Sequence, residues 1–440
     1  MSVDSAPDRY IEGGGLGNDL YREVAELPLV SPHGHIDARL FSRAGSRLDP
    51  PGRLFVTSDH YVVRMLYSQG VRIEATRGED RDVWQLLVDN ADLFALTPSG
   101  LWLRETLSGV FGIHELTLDA YDAIEAQLAS AAFAPLALLD RFGVECLATT
   151  DPAGAPLDDH RGLAPRIRPT FRPDAVVALD APGWREAVAE LGVDDYPSLI
   201  DTLVERRAAF KEMGATATDH AATSADTTRL TDGDAARIFA RALTGSVSAA
   251  EARSFEAHML NEFARMSLDD GLVMQLHVGS VRNHNAPLAA SFGPDLGADI
   301  PIATDWTRGL RPLLEDCGND PGFTLILFTL DESTYSRELA PLAGHYPAVL
   351  LGCPWWFHDS PLGIDRFLDR VVETAGVRNL AGFVDDARAL TALPARHDLW
   401  RRRTCGWLAR RVAGGFATED EARRIARELA CDLAKRAYRV

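Results

Sequence analysis

Two histidines, His33 and His35, stand one residue apart at the end of a short apolar run, LPLVSPHGHI. Leu29 and Val30 in this run are typical of a buried strand, and residues two apart on a strand point to the same side. Both imidazoles can therefore reach one point in space, and imidazole is the commonest protein ligand for a divalent metal. Because nearby histidines are often only polar surface residues, the pair alone does not distinguish a metal site from a polar loop.

Further residues that can bind a metal or transfer protons lie at the ends of later strand-like runs. His277 lies in MQLHVG, and Asp385 and Asp386 end the run NLAGFVDD. In a parallel barrel the first and last strands are neighbours, and active sites form at the carboxyl ends of the strands. We therefore expect His33, His35 and one of the two aspartates to share a coordination sphere that leaves positions open for water or substrate. The other aspartate is expected to be a helix N-cap. Taken alone, His277 also fits a core histidine whose polar atoms are satisfied.

The elements that must position these residues follow from the apolar pattern. Near-continuous apolar runs that alternate with helical patterns are typical of parallel βαβ units buried on both faces. With the first strand, the runs number eight, which is the number that closes a (β/α)8 barrel. The seven that follow the first strand are VECLATT, AVVALD, ATATDH, LVMQLHVG, FTLILFTL, PAVLLGC and NLAGFVDD. We predict that 1–440 form a single barrel of this kind, and that 58–141, which lack a convincing strand, form a helical insertion after the first strand.

Other conspicuous residues are less informative taken one by one. Trp355 and Trp356 follow a strand end, which suits either the wall of a pocket or packing beneath a loop. His60 and Tyr61 lie at a helix start and mean little alone. The three consecutive arginines 401–403 are predicted to lie on a solvated helix face. Phe255, Met259, Phe263 and Met266 recur at helical spacing, which predicts a core-facing stripe.

Composition and charge exclude several classes of function. The 440 residues contain 45 basic and 64 acidic side chains, a net charge of −19, and such a surface repels phosphate backbones, so no nucleic-acid partner is expected. No apolar run approaches the ~20 residues of a membrane span. The beginning of the chain lacks a signal-peptide pattern. Five scattered cysteines form no CxxC pair, which indicates neither a disulfide framework nor a cysteine metal site. A cytoplasmic protein is expected.

Taken together, the motifs resemble those of the uronate isomerase (glucuronate isomerase) family of the amidohydrolase superfamily. The resemblance extends from the first strand almost to the carboxyl terminus. Its segments, in the family's order, are PHGHI, SDHYVVRM, PTFRPD, RRAAFKEMGATATDH, MQLHVGSVRNHN, CPWWFHD, FVDDAR and PARHDLWRR. The resemblance implies a distorted (β/α)8 barrel of the α/β class with a helical insertion after the first strand. It also implies one divalent metal, usually Zn²⁺, and the interconversion of an aldehyde-sugar acid with its keto isomer.

The roles of individual residues follow from the same resemblance. It implies that His33, His35 and Asp386 hold the metal, and that His277 is a further ligand or a substrate contact. Tyr61 and Arg388 match residues that assist proton transfer. Substrate-binding positions are implied at Arg172, His60, Trp355, Trp356 and Asn283. Aldose–ketose isomerisation moves a proton between C2 and C1 through an enediol, so we expect Asp386 to be the base, with Tyr61 and Arg388 stabilising the enediolate oxygens.

Two other classes of function remain open from the sequence. A metal-dependent hydrolase could use the same ligands to activate water against a sugar lactone, ester or amide, although Tyr61 and Arg388 favour the isomerase. A non-catalytic binding protein on an inactive barrel would be expected to have lost the ligand set. The expected partner is a small sugar acid, either D-glucuronate with D-fructuronate or D-galacturonate with D-tagaturonate as the pair interconverted. Homo-oligomerisation is compatible with either activity.

Overall fold

Short parallel strands, buried on both faces, form the centre of the molecule. The computed structural model describes residues 8–12, 14–355 and 358–440. The strands are β1 (Leu29–Ser31), β2 (Val144–Ala148), β3 (Asp151–Pro152), β4 (Ile167–Arg168), β5 (Phe171–Arg172), β6 (Ala217–Ala221), β7 (Val273–Val278), β8 (Ser280–Val281), β9 (Ile300–Pro301), β10 (Leu325–Thr329) and β11 (Val349–Leu351). All but the antiparallel pair β8–β9 run parallel to their neighbours.

The strand pairings follow one another around a closed ring. β1 pairs with β2 and β2 with β4, while the continuations β3 and β5 pair with each other. The order then runs from β5 through β6, β7 and β10 to β11. Isolated bridges complete the ring: Leu351 pairs with Leu380, and Ala387 pairs with Gly34, which follows β1. The segment 380–387 therefore occupies the eighth position, and the predicted distorted barrel of the α/β class is confirmed.

The third barrel position differs from the prediction. The run AVVALD was predicted to be a strand, but Asp174–Val177 form a short α-helix, and β4 and β5 occupy the third position instead. The sequence of these strands, IRPTFR, is interrupted by Pro169. Because proline has no backbone N–H to donate, it divides the strand into two pieces too short to give an apolar pattern.

Helices surround the strands and follow almost every one of them. They are α1 (Gly14–Val24), α2 (Arg39–Ser42), α3 (His60–Ser68), α4 (Asp80–Asp89), α5 (Pro98–Phe111), α6 (Asp119–Leu128), α7 (Pro135–Arg141), α8 (Asp174–Val177), α9 (Trp184–Glu190), α10 (Tyr196–Glu212), α11 (Asp232–Leu243), α12 (Ala249–Asp270), α13 (Ala286–Phe292), α14 (Trp306–Gly309), α15 (Arg311–Cys317), α16 (Ala340–Ala343), α17 (Pro361–Ala375), α18 (Leu393–Ala413), α19 (Glu419–Arg427) and α20 (Leu433–Tyr438). Shorter 3₁₀ or π turns lie between them. In the described part of the chain, no helix has the length and apolar character needed to span a bilayer.

The chain between β1 and β2 is helical and carries its own apolar cluster. Helices α2 to α7 lie here, so the helical region begins at Arg39, earlier than the predicted start at 58. Its buried side chains include Trp84, Phe94 and Phe111, and they form one cluster with Leu29 of β1. This packing fixes α3, which carries His60 and Tyr61, relative to the first barrel strand.

Two predictions about helix faces had opposite outcomes. The stripe on α12 is confirmed as core, since Phe255 and Met259 are fully buried. The prediction of a solvated face for 401–403 is wrong, because all three arginines are buried. Arg401 donates to the carbonyl oxygens of Ala25, Leu27 and Pro28. Those carbonyls follow the end of α1, where helical partners are missing, so a buried guanidinium satisfies them.

Candidate active site

The carboxyl ends of the barrel strands surround a cavity of about 300 Å³. It brings together most of the predicted site residues, namely His33, His35, Arg172, His277, Asn283, Trp355, Asp386 and Arg388. It is also lined by residues to which no role was assigned from the sequence, namely Asp219, Arg282, Pro294 and Asp295. His60 and Tyr61 lie in an adjoining cavity described below, and Trp356 lies outside the described residues.

His33, His35 and Asp386 converge in the way a metal site requires. Nε2 of His35 lies 3.1 Å from Oδ1 of Asp386, and Nε2 of His33 lies 3.6 Å from the same oxygen. Neither contact has the geometry of a hydrogen bond, so among the described residues this buried carboxylate oxygen has no hydrogen-bond partner. Buried polar atoms are rarely left without a partner, and a divalent cation between the three side chains would satisfy this one. The donor set therefore fits a catalytic metal with open positions.

The protonation states also suit a metal. Burial lowers the pKa of His33 to about 4, despite the opposing effect of Asp219, so its imidazole is neutral near pH 7 and able to ligate. Burial alone would raise the pKa of Asp386. The contact of this carboxylate with His35 and the field of the neighbouring histidines outweigh burial and hold the pKa of Asp386 well below its usual range. The site offers two imidazoles and an ionised carboxylate.

Backbone contacts between the first and last barrel positions place these ligands. The N–H of His35 donates to the carbonyl of Ala387 at 2.8 Å. A Cβ on Gly34 would lie 3.2 Å from that carbonyl oxygen, which is why a residue without a side chain suits this close approach. Asp386 has a φ of 48°, a left-handed conformation that non-glycine residues adopt infrequently.

The structure distinguishes the two adjacent aspartates. Asp386 faces the cavity, whereas Asp385 is buried behind it. Asp385 Oδ1 accepts from the N–H of Ala387 at 3.0 Å, and its Oδ2 lies 3.1 Å from Nε2 of His397. The expectation that the second aspartate caps a helix is therefore wrong: its carboxylate closes a local turn, and the next turn of helix begins only at Leu390.

Asp219, in the middle of β6, links a second group of polar side chains. Its Oδ1 lies 2.7 Å from Nδ1 of His277, and its Oδ2 lies 3.3 Å from a guanidinium nitrogen of Arg172. Against the effect of burial, Arg172 and the histidines hold the pKa of Asp219 well below its usual range. The rings of His277 and His33 are stacked with centroids 5.0 Å apart. His277 is thus a cavity residue oriented by a carboxylate rather than an isolated core histidine.

Ligand-atom positions allow a second metal-binding arrangement. The ligand atoms of a second group, His33, Asp219 and His277, all lie within 4.8 Å of one another. The same holds for the first group, His33, His35 and Asp386. His33 belongs to both groups, so the two arrangements describe one site with alternative ligands. Asp219 was missed from the sequence, although it is the penultimate residue of the run ATATDH and so lies close to the kind of position that selected Asp386.

Trp355 is both a wall of the cavity and a partner of Asp386. Its indole Nε1 donates to Oδ2 of Asp386 at 3.0 Å, and its ring lies 4.7 Å from that of His277. The side chain is buried. Of the two readings open from the sequence, the pocket wall is the one observed.

A smaller cavity adjoins the first and shares Asp386 and Arg388 with it. It is lined on its other side by His60 and Tyr61 from α3, whose rings stack with centroids 4.6 Å apart. Asp59 caps this helix by accepting from the backbone N–H of Tyr61 at 2.8 Å. Burial raises the pKa of Tyr61 well above its usual value, so its hydroxyl is a proton donor near neutral pH. Asp386 is therefore approached from two sides, by imidazoles and by a phenol.

Comparisons with known proteins agree with this arrangement. The family model described as glucuronate isomerase matches residues 6–438. The chain belongs to the glucuronate isomerase family. The uronate isomerase of Nostoc punctiforme is 49% identical over 449 residues, covering 97% of this chain and 95% of the relative. The uronate isomerase of Rhizorhabdus wittichii is also 49% identical, over 96% of this chain and 94% of the relative.

Solved structures of family members have the same fold. The crystal structure of glucuronate isomerase from Caulobacter crescentus is 42% identical, with a TM-score of 0.96 over 100% of this chain and 98% of that one. The uronate isomerase of Thermotoga maritima is 27% identical, with a TM-score of 0.93 over 99% of this chain and 100% of that one. Family membership favours an aldose–ketose isomerase, an intramolecular oxidoreductase, and does not support the hydrolase alternative.

Proposed function

We propose that the protein interconverts D-glucuronate and D-fructuronate, or D-galacturonate and D-tagaturonate, at the cavity formed by the barrel ends. The observation that supports this most directly is the position of Asp386. One ionised carboxylate faces both the cavity with the histidines and the cavity with Tyr61 and Arg388. A base flanked by proton donors is the arrangement that an enediol mechanism needs.

We assign the binding of a divalent metal, which we propose to be Zn²⁺, to His33, His35 and Asp386. His277 is a further ligand or a substrate contact. When bound, such a cation orients a sugar oxygen and polarises the adjacent carbonyl. The neutral state of His33 and the buried Asp386 oxygen described above support this assignment. Because Asp219 holds one nitrogen of His277, only Nε2 of that ring is left to face a ligand.

The proton transfer is assigned to Asp386, Tyr61 and Arg388. Asp386 removes the proton from C2 of the open-chain aldehyde acid and returns it to C1, while the proton of the C2 hydroxyl is transferred to the C1 oxygen, so that the aldehyde becomes a primary alcohol and C2 becomes a ketone. The enediolate formed between these steps carries negative charge on oxygen. The Tyr61 hydroxyl and the Arg388 guanidinium donate to that charge, which stabilises it where it develops. Arg388 is only weakly engaged by Asp295, at 3.9 Å, which leaves its donors available to substrate.

Binding of the substrate is assigned to Arg172, His60, Trp355, Trp356 and Asn283. Arg172 already contacts Asp174 at 2.6 Å and Asp219 at 3.3 Å, and these carboxylates hold its guanidinium in a fixed orientation at the cavity wall. A planar guanidinium suits the uronate carboxylate. Arg282 and Arg388 line the same cavity and offer further guanidinium donors to an anion, although the chain as a whole carries a net charge of −19.

The test is an NMR time course of zinc-loaded protein with D-glucuronate and, separately, D-galacturonate in deuterated water. We expect one or both sugars to be converted to the keto acid, with the metal-free protein as the control. Deuterium at the exchanging carbon would show whether the transferred proton reaches solvent. If neither sugar changes while zinc is present in stoichiometric amount, the proposed substrates are wrong. Lactones would then be assayed for hydrolysis.

A further inference from the structure

The segment Arg396–His397–Asp398 lies in the first turns of α18, directly behind the eighth barrel position. It is part of the motif PARHDLWRR, to which no catalytic or binding role has been assigned above. Arg396 and His397 both contact Asp385, the residue that precedes the proposed base. Asp398 faces away from the barrel, where it accepts from Nε of Arg402 at 2.6 Å and from the hydroxyl of Tyr21.

The conformation of Asp386 needs support from its neighbours. Its φ of 48° lies in a region where a side chain crowds its own backbone, and such conformations persist only when the surrounding structure over-determines them. On the carboxyl side of Asp386, the carbonyl of the next residue, Ala387, accepts from the N–H of His35. On the other side, the carbonyl of Asp385 accepts from Arg396 at 3.1 Å. The carboxylate of Asp385 is held by His397 and by the N–H of Ala387.

Arg396 is itself held rigidly. It donates to Oδ2 of Asp359 at 2.8 Å, and its guanidinium lies 4.0 Å above the ring centroid of Trp102. Asp359 belongs to the loop after the seventh barrel position, and Trp102 belongs to α5 of the helical region. Arg396 therefore joins three segments that meet behind Asp386. It also borders the smaller cavity, which it shares with Tyr61.

We propose that Arg396 is a positioning residue that sets the orientation of Asp386, with His397 as a second support on the same residue, Asp385. The proposal rests on the proposed function, in which Asp386 is metal ligand and base. Residues that orient a metal ligand typically change metal affinity or activity by roughly 10- to 100-fold when they are altered, and Arg396 acts on the peptide bond that joins Asp385 to the ligand Asp386. Arg396 borders the smaller cavity but not the main one, so zinc affinity and KM together distinguish an effect through Asp386 from the loss of a substrate contact.

The test compares Arg396→Lys with the matched control Asp398→Asn, two residues along the same helix. Lysine keeps the charge and the stem but cannot donate to Asp359 and to the Asp385 carbonyl in the same fork geometry. We expect the zinc affinity of Arg396→Lys, measured by competition with a chelating dye, to fall roughly 10- to 100-fold. At saturating zinc, kcat should fall by a similar factor and KM should change less than about threefold. Asp398→Asn should retain the zinc affinity and kcat of the parent.

A folded Arg396→Lys protein with zinc affinity and kcat within about threefold of the parent would overturn the proposal. If that variant does not fold, His397→Gln and Asp359→Asn take its place, because each removes one contact of the same cluster. Unchanged zinc affinity in both of these variants would also overturn the proposal. The absorption of cobalt-loaded protein gives a second readout, because its visible bands report the ligand geometry. Zinc and cobalt binding need no substrate, so a failure of the proposed isomerase activity would leave this test intact.

Discussion

Substitution of Trp355 by phenylalanine tests the environment assigned to Asp386. The indole Nε1 donates to Oδ2 of Asp386 at 3.0 Å, and the ring packs 4.7 Å from that of His277. Phenylalanine keeps an aromatic ring but is smaller than the indole and has no donor. The change therefore removes this hydrogen bond to the proposed base, and a tryptophan-to-phenylalanine control at another buried position accounts for the lost ring volume.

The expected magnitude follows from the type of bond lost. A hydrogen bond to a charged group contributes about 1.5–3 kcal/mol, and each 1.36 kcal/mol in barrier height is a factor of ten in rate. If this bond holds Asp386 in its reactive orientation, Trp355→Phe should lower kcat about 10- to 150-fold. Because phenylalanine is smaller than tryptophan, the melting temperature of the variant is measured as a check on packing.

The assay is the initial rate of keto-acid formation at saturating zinc and sugar acid, with the zinc content of each protein measured separately. Trp306→Phe is the matched control, since Trp306 is also buried in the same core cluster but lines neither of the two cavities. The reasoning is refuted if Trp355→Phe retains zinc and its kcat stays within about threefold of the parent, or if Trp306→Phe loses as much activity.

Other expected outcomes follow from the same contacts. Tyr61→Phe should lower kcat by roughly 10²- to 10⁴-fold with full zinc content, as for loss of a general acid; unchanged kcat would remove Tyr61 from the mechanism. Asp219→Asn leaves the half-buried Arg172 guanidinium with Asp174 as its remaining carboxylate partner, so urea unfolding should show a loss of about 1.5–3 kcal/mol, the range for a hydrogen bond to a charged group, and an unchanged stability would contradict that pairing. Burial lowers the pKa of His220 to about 3, so as the pH falls the unfolded chain binds a proton at this residue before the folded protein does. The free energy of unfolding should therefore fall as the pH decreases from about 6.5 towards 3. In denaturation curves, His220→Asn should reduce this dependence of the free energy of unfolding on pH.

The sequence predicted the barrel and most of its lining for a physical reason. Strands buried on both faces are almost continuously apolar, so polar residues such as His277 and Asp386 are conspicuous where a run ends. The third barrel position was predicted wrongly because Pro169 divides it into pieces without an apolar pattern. The short helix of Asp174–Val177, with two buried valines, resembled a strand instead.

Long-range partners account for the rest of what the sequence could not show. The burial of 401–403 depends on carbonyls near the end of α1, far away in the chain, and no local pattern reports such a contact. Likewise, the choice between Asp385 and Asp386 depends on His397 and on the left-handed φ of Asp386, which only the folded backbone displays. Asp219 could have been selected by its position one residue before the end of the run ATATDH, but its partners Arg172 and His277 come from other strands.

The most direct test of the central claim is the behaviour of Asp386→Asn with zinc bound. Asparagine keeps an oxygen that can face a metal but cannot accept the C2 proton as a base. Zinc content would be measured on the same samples used for the NMR time course with D-glucuronate and D-galacturonate. The account predicts a variant that retains zinc and forms no measurable keto acid. Full activity in a zinc-containing Asp386→Asn protein would contradict the role assigned to this carboxylate.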